Sequence, residues 1–220
     1  CRNTWIGKRK IKIIGVKKFK EITYEVMFDR IEAGTMLIAA AMNEGHLKIT
    51  KIKPNIIKTE VDILKKIGAK IMIRKNEIEI QGRKKIKSIN LKTSPFPGFA
   101  TDLQAQMMVL LCKAIFFLPC ISISFFLIII FENRFMHVAE LKRMNAKIEI
   151  KGNKAIIEGN TTFQSAELMA TDLRASVSLI LAALCAKGRS KISRIYHLDR
   201  GYENIEKKLR KIGAKIKRIN

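Results

Sequence analysis

ATDLQAQMMVLLC at residues 100–112 and ATDLRASVSLILAAL at residues 170–184 are two versions of one segment, and FDRIEAGTMLIAAAM at residues 28–42 is a third. Each places an aspartate before a run of small and apolar residues, which is typical of the start of a buried helix. The aspartates Asp29, Asp102 and Asp172 are 73 and 70 positions apart. A repeat of about seventy residues therefore organises the chain.

A second amphipathic helix is predicted to end each unit. The sequence motif at the end of this helix is nearly identical in the three units: LKKIGAKI at residues 64–71, LKRMNAKI at 141–148 and LRKIGAKI at 209–216. One position of this motif is held by Gly68, Asn145 and Gly213, which predicts that each helix ends there with a residue in the left-handed conformation. Strand-like runs lie between the helices, and the dipeptides KN and GN inside the longer runs indicate hairpins.

These patterns predict an α/β domain in which each unit reads helix, strand, helix, strand pair. We place the three repeats at about residues 28–97, 98–168 and 169–220. Because sheets must cover apolar helices, the units are expected to pack around shared helices as one domain. Residues 1–27 are interpreted as the tail of a truncated first domain and the crossover from it.

The charge balance is strongly basic, with 43 Lys and Arg against 19 Asp and Glu and a formal charge of +24. Such a charge favours a polyanionic partner such as nucleic acid or an acidic membrane. The lysines, however, are scattered among isoleucines, with few aromatic residues for base stacking. We interpret them as a solvated basic surface without a specific nucleic-acid site, and a basic polyanion-binding module stays as an alternative.

The cysteines and histidines show no metal-binding pattern. No CxxC pair occurs, and His46, His137 and His197 are widely separated, so we interpret the histidines as structural and expect no metal. The cysteines are predicted to be buried thiols in a reducing, cytoplasmic compartment. No signal-peptide core and no glycine-rich phosphate loop is found.

One stretch, AIFFLPCISISFFLIIIF at residues 114–131, contains no charged residue. Its length only just reaches that of a membrane helix, which needs about 20 apolar residues. Pro119, Ser122 and Ser124 interrupt it, so a membrane span is not expected. A buried core segment is the favoured interpretation, and a locally altered sequence is the main alternative.

Five longer motifs are more specific than the repeat. They are FDRIEAGT (28–35), TSPFPGFATDLQAQ (93–106), IFENRFMHVAELKRM (130–144), MATDLRAS (169–176) and IYHLDRGYENIEKKLRKIGAKI (195–216). In this order they resemble the carboxy-terminal half of the enolpyruvyl transferases, and in particular the branch that acts on UDP-N-acetylglucosamine. The resemblance implies an inside-out α/β barrel of repeated helix–strand units whose amino-terminal domain is largely missing.

The resemblance also implies a reaction. The 3-hydroxyl of UDP-N-acetylglucosamine adds to C2 of phosphoenolpyruvate and phosphate is then eliminated, which is the first committed step of peptidoglycan precursor synthesis and uses no cofactor. Asp102 corresponds to the family's carboxylate near the sugar hydroxyl, a candidate general base. Asp172 corresponds to a carboxylate that takes part in the site or its closure. From the residues alone a helix cap is the favoured role, since Asp29, Asp102 and Asp172 all precede predicted helices; with the TDLQAQ motif intact catalysis is favoured for Asp102, and both roles are compatible.

Three arginines are implied at the substrate cleft. Arg174 and Arg200 correspond to phosphoenolpyruvate-binding arginines, since a guanidinium grips carboxylate or phosphate with two hydrogen bonds. A structural ion pair with a neighbouring aspartate is the alternative for each. Arg134 corresponds to a cation at the cleft, while Ile130 and Phe131 stand where the family contacts the nucleotide sugar.

Part of the family's site has no counterpart here. The reactive cysteine of the family lies on a mobile loop of the amino-terminal domain, and Cys1 does not correspond to it, because the residues after Cys1 resemble the strand pair that closes that domain. A separately encoded amino-terminal half is therefore a possible partner. A non-catalytic truncated remnant of the enzyme is the alternative to an active transferase.

Overall fold

The computed structural model describes residues 2–6, 10–115, 125–129 and 135–219, with side chains described for 11–115 and 135–219. The helices are α1 (Arg30–Met42), α2 (Lys58–Ile67), α3 (Gln104–Cys112), α4 (His137–Arg143), α5 (Ala175–Cys185), α6 (Tyr196–Asp199) and α7 (Ile205–Lys211). The strands are β1 (Arg2–Ile6), β2 (Lys10–Ile14), β3 (His46–Thr50), β4 (Lys70–Arg74), β5 (Glu77–Gln81), β6 (Leu91–Lys92), β7 (Phe125–Ile129), β8 (Ile148–Lys151), β9 (Lys154–Glu158), β10 (Glu167–Met169) and β11 (Lys191–Ser193). Short 3₁₀ turns precede α2 and α3, at Pro54–Ile57 and Thr101–Leu103.

The first two units have the predicted order of helix, strand, helix and strand pair. In the first, β5 lies between β3 and β4, and in the second, β9 lies between β7 and β8; all these pairs are antiparallel. The hairpins turn at Lys75–Asn76 and Gly152–Asn153, which confirms the KN and GN dipeptides as turns. Gly152 has a φ of +59°, a conformation that glycine adopts without steric cost.

Parallel strand pairs join successive units. β6 follows the first unit's hairpin and pairs with β7 of the second unit, while β10 follows the second unit's hairpin and pairs with β11 of the third. The third unit differs from the prediction, because no strand pair follows α7 within the described residues. Residues 214–219 have no partner strand there, and an isolated segment cannot satisfy its backbone groups as a strand.

The second helix of each unit stops as predicted. Gly68, Asn145 and Gly213 have φ values of +113°, +73° and +100°, all in the left-handed region. At each of these helix ends the residue after the left-handed one donates its backbone N–H to the carbonyl of the first leucine of the motif. The donors are Ala69, Ala146 and Ala214. The three helices therefore end by the same mechanism, which confirms the repeat at the level of the backbone.

Helices α1, α3 and α5 form the interior of the domain. All nine residues of α3 are buried, as expected for a helix that is apolar on every face. Their carboxyl ends meet around Lys113, whose Nζ donates to the carbonyl of Met42 and lies 3.7 Å from the Sγ of Cys185. The thiol of Cys185 in turn donates to Asn43 Oδ1 at 3.1 Å. One ammonium group thus faces the negative ends of three helices.

The uncharged stretch at residues 114–131 contains strand β7. β7 lies between β6 and β9, so this part of the stretch belongs to a sheet. Residues 116–124 and 130–134 lie outside the described residues. No helix in the described part of the chain has both the length and the apolar character that crossing a membrane requires.

At the amino end, β1 and β2 form an antiparallel hairpin. The predicted strand pair at this place is therefore confirmed. The segment that follows, residues 15–27, has no regular structure and exposes large apolar side chains, among them Phe19, Ile22, Tyr24 and Val26. The closure of the sheets into a barrel stays a prediction.

Candidate active site

Asp102 and Arg174, predicted from separate motifs, lie together. The carboxylate Oδ1 of Asp102 is 3.0 Å from a terminal guanidinium nitrogen of Arg174. Asp102 lies in the 3₁₀ turn that leads into α3, and Arg174 immediately precedes α5, so the ion pair joins the second repeat to the third. The side chains keep 25% and 44% of their surface exposed, so the pair is open to a ligand from solvent.

The other two repeat aspartates bind their own helices. Asp29 is the N-cap of α1, and its Oδ1 accepts from the amides of Ile31 and Glu32 at 2.7 and 3.3 Å. Asp172 Oδ1 accepts from the amides of Arg174 and Ala175 at 2.8 and 2.6 Å. The cap interpretation therefore holds for Asp29, while Asp172 binds two amides of the turn that leads into α5, whose N-cap position is Arg174.

Asp102 is not an N-cap. The N-cap positions of its 3₁₀ turn and of α3 are held by Ala100 and Leu103, neither of which has a capping side chain. Its carboxylate instead faces an arginine of the next repeat. The same sequence position thus has a different role in the second repeat.

Arg200 is exposed at the carboxyl end of α6. The ion pair that sequence reasoning offered as its alternative role is not formed, because Asp199 pairs with Arg218 at 2.5 and 3.0 Å. That guanidinium holds the pKa of the Asp199 carboxyl below its usual range. Arg174 likewise pairs with Asp102 and not with its neighbour Asp172.

Three buried polar side chains, those of Thr35, Gln106 and Tyr202, form a hydrogen-bonded junction between the repeats. Thr35 Oγ1 is 3.0 Å from the Tyr202 hydroxyl, and Gln106 Nε2 donates to both oxygens at 3.1 and 3.2 Å. The three residues come from the three different repeats and are at most 2% exposed. Burial raises the pKa of Tyr202 to about 12, so its hydroxyl stays protonated.

His137, interpreted from the sequence as structural, is another buried polar residue and begins α4. It is 1% exposed, and within the described part of the chain neither ring nitrogen has a hydrogen-bond partner. Burial lowers its pKa to about 4, against a smaller opposing effect of the Asp172 charge. From the same helix, Glu140 Oε2 accepts from the amide of Met169 at 2.9 Å, so α4 supports the segment that leads to Asp172.

The arrangement combines a carboxylate with a cation at the amino ends of two helices. A guanidinium carries five N–H donors, so Arg174 is able to keep Asp102 while binding a phosphate or carboxylate. The dipoles at the starts of α3 and α5 also favour an anion. The chemistry available is proton acceptance beside a bound anion.

The remaining predicted site residues, Ile130, Phe131 and Arg134, lie outside the described residues. Within the part of the chain that the structure describes, no group of three His, Cys, Asp or Glu side chains could hold a metal ion. Both cysteines with described side chains, Cys112 and Cys185, are free thiols.

The chain consists of repeated α/β units, two of which are joined by the ion pair of Asp102 and Arg174. Residues 5–209 match the family described as EPSP synthase (3-phosphoshikimate 1-carboxyvinyltransferase), and the chain belongs to this family. It is 69% identical over 220 residues to the UDP-N-acetylglucosamine 1-carboxyvinyltransferase of Pelagibacter ubique, covering 100% of this chain and 51% of that one. It is 46% identical over 214 residues to the enzyme of that name from Rickettsia prowazekii, covering 97% and 50%.

Solved structures agree on the fold. The enolpyruvyl transferase NikO from Streptomyces tendae matches with a TM-score of 0.72 at 24% identity, covering 87% of this chain and 44% of that one. EPSP synthase from Acinetobacter baumannii matches with a TM-score of 0.67 at 16% identity, covering 90% and 45%. The chain spans about half the length of the curated relatives it matches.

The junction residues could have been noticed in the sequence. Thr35 and Gln106 are polar residues within helices that are otherwise apolar, and Tyr202 follows the predicted Arg200 by two positions. Buried polar residues normally have hydrogen-bond partners, so an isolated one in an apolar helix indicates a partner elsewhere. The sequence does not say which partner, because all three come from different repeats.

Proposed function

We propose that this chain supplies the carboxy-terminal half of an enolpyruvyl transferase that acts on UDP-N-acetylglucosamine with phosphoenolpyruvate as donor. The observation that carries the proposal is the ion pair of Asp102 and Arg174, which brings two residues with predicted roles to one open place between repeats. The names of the relatives support the choice of substrates.

In the proposed reaction Asp102 accepts the proton of the 3-hydroxyl as the sugar oxygen attacks C2 of phosphoenolpyruvate. A proton donor adds a proton to the methylene carbon, which gives a tetrahedral intermediate. Loss of phosphate and of one proton from the methyl carbon then gives the enolpyruvyl ether. Arg174 and Arg200 bind the phosphate or the carboxylate of the donor, where negative charge must be held throughout.

Two aspartates have different parts in this proposal. Asp102 lies opposite Arg174 of the next repeat and does not hold the N-cap position of its turn or of α3, which supports its assignment as the base. Asp172 accepts two amide hydrogens at the start of α5, so we assign it to holding Arg174 in place at the site. Ile130, Phe131 and Arg134 stay assigned to the cleft by resemblance.

We propose further that residues 28–220 form the catalytic domain's three repeats and that residues 1–27 belong with an amino-terminal half. The exposed apolar side chains of the 15–27 segment support this, because such a run is normally covered by protein. The free thiols of Cys112 and Cys185 support a reducing, cytoplasmic setting.

The test is phosphate release from phosphoenolpyruvate that depends on UDP-N-acetylglucosamine. The purified chain is assayed alone, and then with the amino-terminal half of the Pelagibacter ubique relative supplied in trans. We expect release only in the mixture, and none when the chain carries Asp102→Asn. The matched control is Asp62→Asn, a carboxylate on the exposed side of α2, which should leave release unchanged.

Two outcomes would contradict the proposal. A folded chain that releases no phosphate in either mixture would identify a non-catalytic remnant. Nucleic-acid binding that is strong, and that falls steeply with salt, in a chain without transferase activity would instead favour the polyanion-binding alternative.

A further inference from the structure

The buried junction of Thr35, Gln106 and Tyr202 is the point where all three repeats exchange directional hydrogen bonds. α1 contributes Thr35, α3 contributes Gln106, and Tyr202 lies between α6 and α7. Each of the three pairs is within 3.0 to 3.2 Å, so the junction is a closed triangle. Moving any one repeat relative to the others would break two of its three contacts.

The junction lies close in sequence to the residues assigned to the site. Gln106 follows Asp102 by four positions, about one helical turn. Tyr202 follows Arg200 by two positions. A shift of the junction is therefore transmitted to both groups over a short length of backbone.

Two glycines beside the junction make close contacts with the same site segments. A Cβ added at Gly34, next to Thr35, would lie 2.5 Å from Leu103 Cδ1, and Leu103 is adjacent to Asp102. The same pattern recurs at Gly201, next to Tyr202, where an added Cβ would lie 2.6 Å from Leu173 Cδ1. Leu173 lies between Asp172 and Arg174.

The energetics of burial indicate that the polar side chains of the junction fix the positions of the helices more than they stabilise the fold. Three apolar side chains of similar shape could fill this space with little loss of stability, because paired polar groups add little net free energy. Among the described residues, Gln106 Oε1 also finds no hydrogen-bond partner, which makes the junction costly. Hydrogen bonds, however, have preferred distances and angles, and apolar contacts tolerate sliding.

We propose that Thr35, Gln106 and Tyr202 are positioning residues that hold Asp102, Arg174 and Arg200 in register across the three repeats. This inference rests on the proposed function for the role of those three groups. The junction itself acts through the backbone and does not touch the substrate.

The test uses Tyr202→Phe, Thr35→Val and the double variant in the whole chain, with the amino-terminal half in trans. Tyr202→Phe keeps the ring and removes only the hydroxyl, so the fold is expected to persist. We expect kcat to fall roughly tenfold while KM for UDP-N-acetylglucosamine changes little, because misplacement acts on the transition state. Tyr196→Phe is the matched control, since Tyr196 is 58% exposed in the same segment, and it should leave kcat unchanged.

A double-mutant cycle on unfolding tests the junction without any assay of turnover. The effects of Thr35→Val and Tyr202→Phe on the unfolding equilibrium constant should be non-additive by roughly tenfold, because either change breaks the same contact. Additive effects would overturn the junction. Non-additive effects on unfolding together with an unchanged kcat in the variants would overturn the positioning role. Non-additive effects on unfolding together with no turnover by the wild-type chain, mixed with the amino-terminal half, would refute the proposed function and leave the junction supported.

Discussion

The amino ends of α1 and α3 are equivalent positions of the repeat, but the aspartate contacts different groups in each. Asp29 binds the first amides of its own helix, as an N-cap does. Asp102 leaves the N-cap position to Ala100 and Leu103 and faces Arg174 of the next repeat. A repeat thus preserves the path of the backbone, while a side chain released from capping becomes available for another function.

Asp172, at the amino end of α5, falls between these two cases. Its carboxylate accepts from two amides of the helix start, as Asp29 does. It also lies close enough to the buried His137 to affect the pKa of that imidazole. The three aspartates therefore show capping alone, ion pairing between repeats, and binding of backbone amides beside a buried titratable group.

The largest effect that separates Asp102 from Asp29 is expected in activity. Asp102→Asn should lower kcat in the mixture with the amino-terminal half by a factor of about 10² or more, because the variant cannot accept a proton. Asp29→Asn should leave kcat within about twofold, since asparagine caps a helix as well as aspartate does. Steady-state phosphate release measures both, and equal losses would remove the distinction between the two helix ends.

The surroundings of Asp172 can be tested by pH. His137 has a pKa of about 4 in the folded chain against an ordinary 6.5, so between these values the unfolded state binds a proton that the folded state does not. Its contribution is fully favourable above pH 6.5 and is lost as the pH falls to 4. The loss should be about 3 kcal/mol in the free energy of unfolding.

Urea unfolding at pH 7 and pH 4 measures this loss in wild type and in His137→Gln. The variant should show a smaller decrease by about the same 3 kcal/mol. Gln164→Asn is the control, since Gln164 is exposed and carries no titratable group, and it should leave the pH dependence unchanged. The same pH dependence in wild type and His137→Gln would show that the difference in proton binding between the folded and unfolded states comes from another group.

Arg174 should tolerate replacement less well than another arginine of the same repeat. Arg174→Lys keeps the charge but loses the planar donors, so KM for phosphoenolpyruvate should rise about tenfold. Arg218→Lys, on the exposed pair with Asp199, is the matched control and should leave that KM unchanged. If both variants behave alike, the geometry of the guanidinium at Arg174 has no special importance.

The smallest expected effect is on stability at the first helix. Asp29→Ala should lower the free energy of unfolding by about 1 kcal/mol, because two amides of α1 lose their acceptor. Asp29→Asn should restore most of this loss. Thermal or urea unfolding checks it, and full stability in Asp29→Ala would show that Asp29 is no cap in solution.

Much of the fold was predictable because its signals are local. The left-handed stops at Gly68, Asn145 and Gly213 follow from the identity of one residue each. The hairpins follow from turn dipeptides in the same way. The lack of a strand pair after α7 in the described residues was not predicted, since a strand needs a partner that the segment's own residues do not specify.

The membership of the site stays a prediction, and its contacts were only partly predictable. Asp102 and Arg174 were both chosen from motifs, but the alternative for Arg174 was an ion pair with its sequence neighbour Asp172. The structure instead joins residues 72 positions apart. The junction of Thr35, Gln106 and Tyr202 was missed because its members are separated by 71 and 96 positions.

The sequence by itself determined the repeat, the helix stops, the turns and the kinds of side chain at the helix starts, because each depends on residues within one turn or one hairpin. Only the tertiary structure decided which aspartate caps and which faces an arginine, and which buried polar groups find each other. The physical reason is that hydrogen bonds and ion pairs between repeats depend on the packing of α1, α3 and α5, and that packing is a property of the whole core.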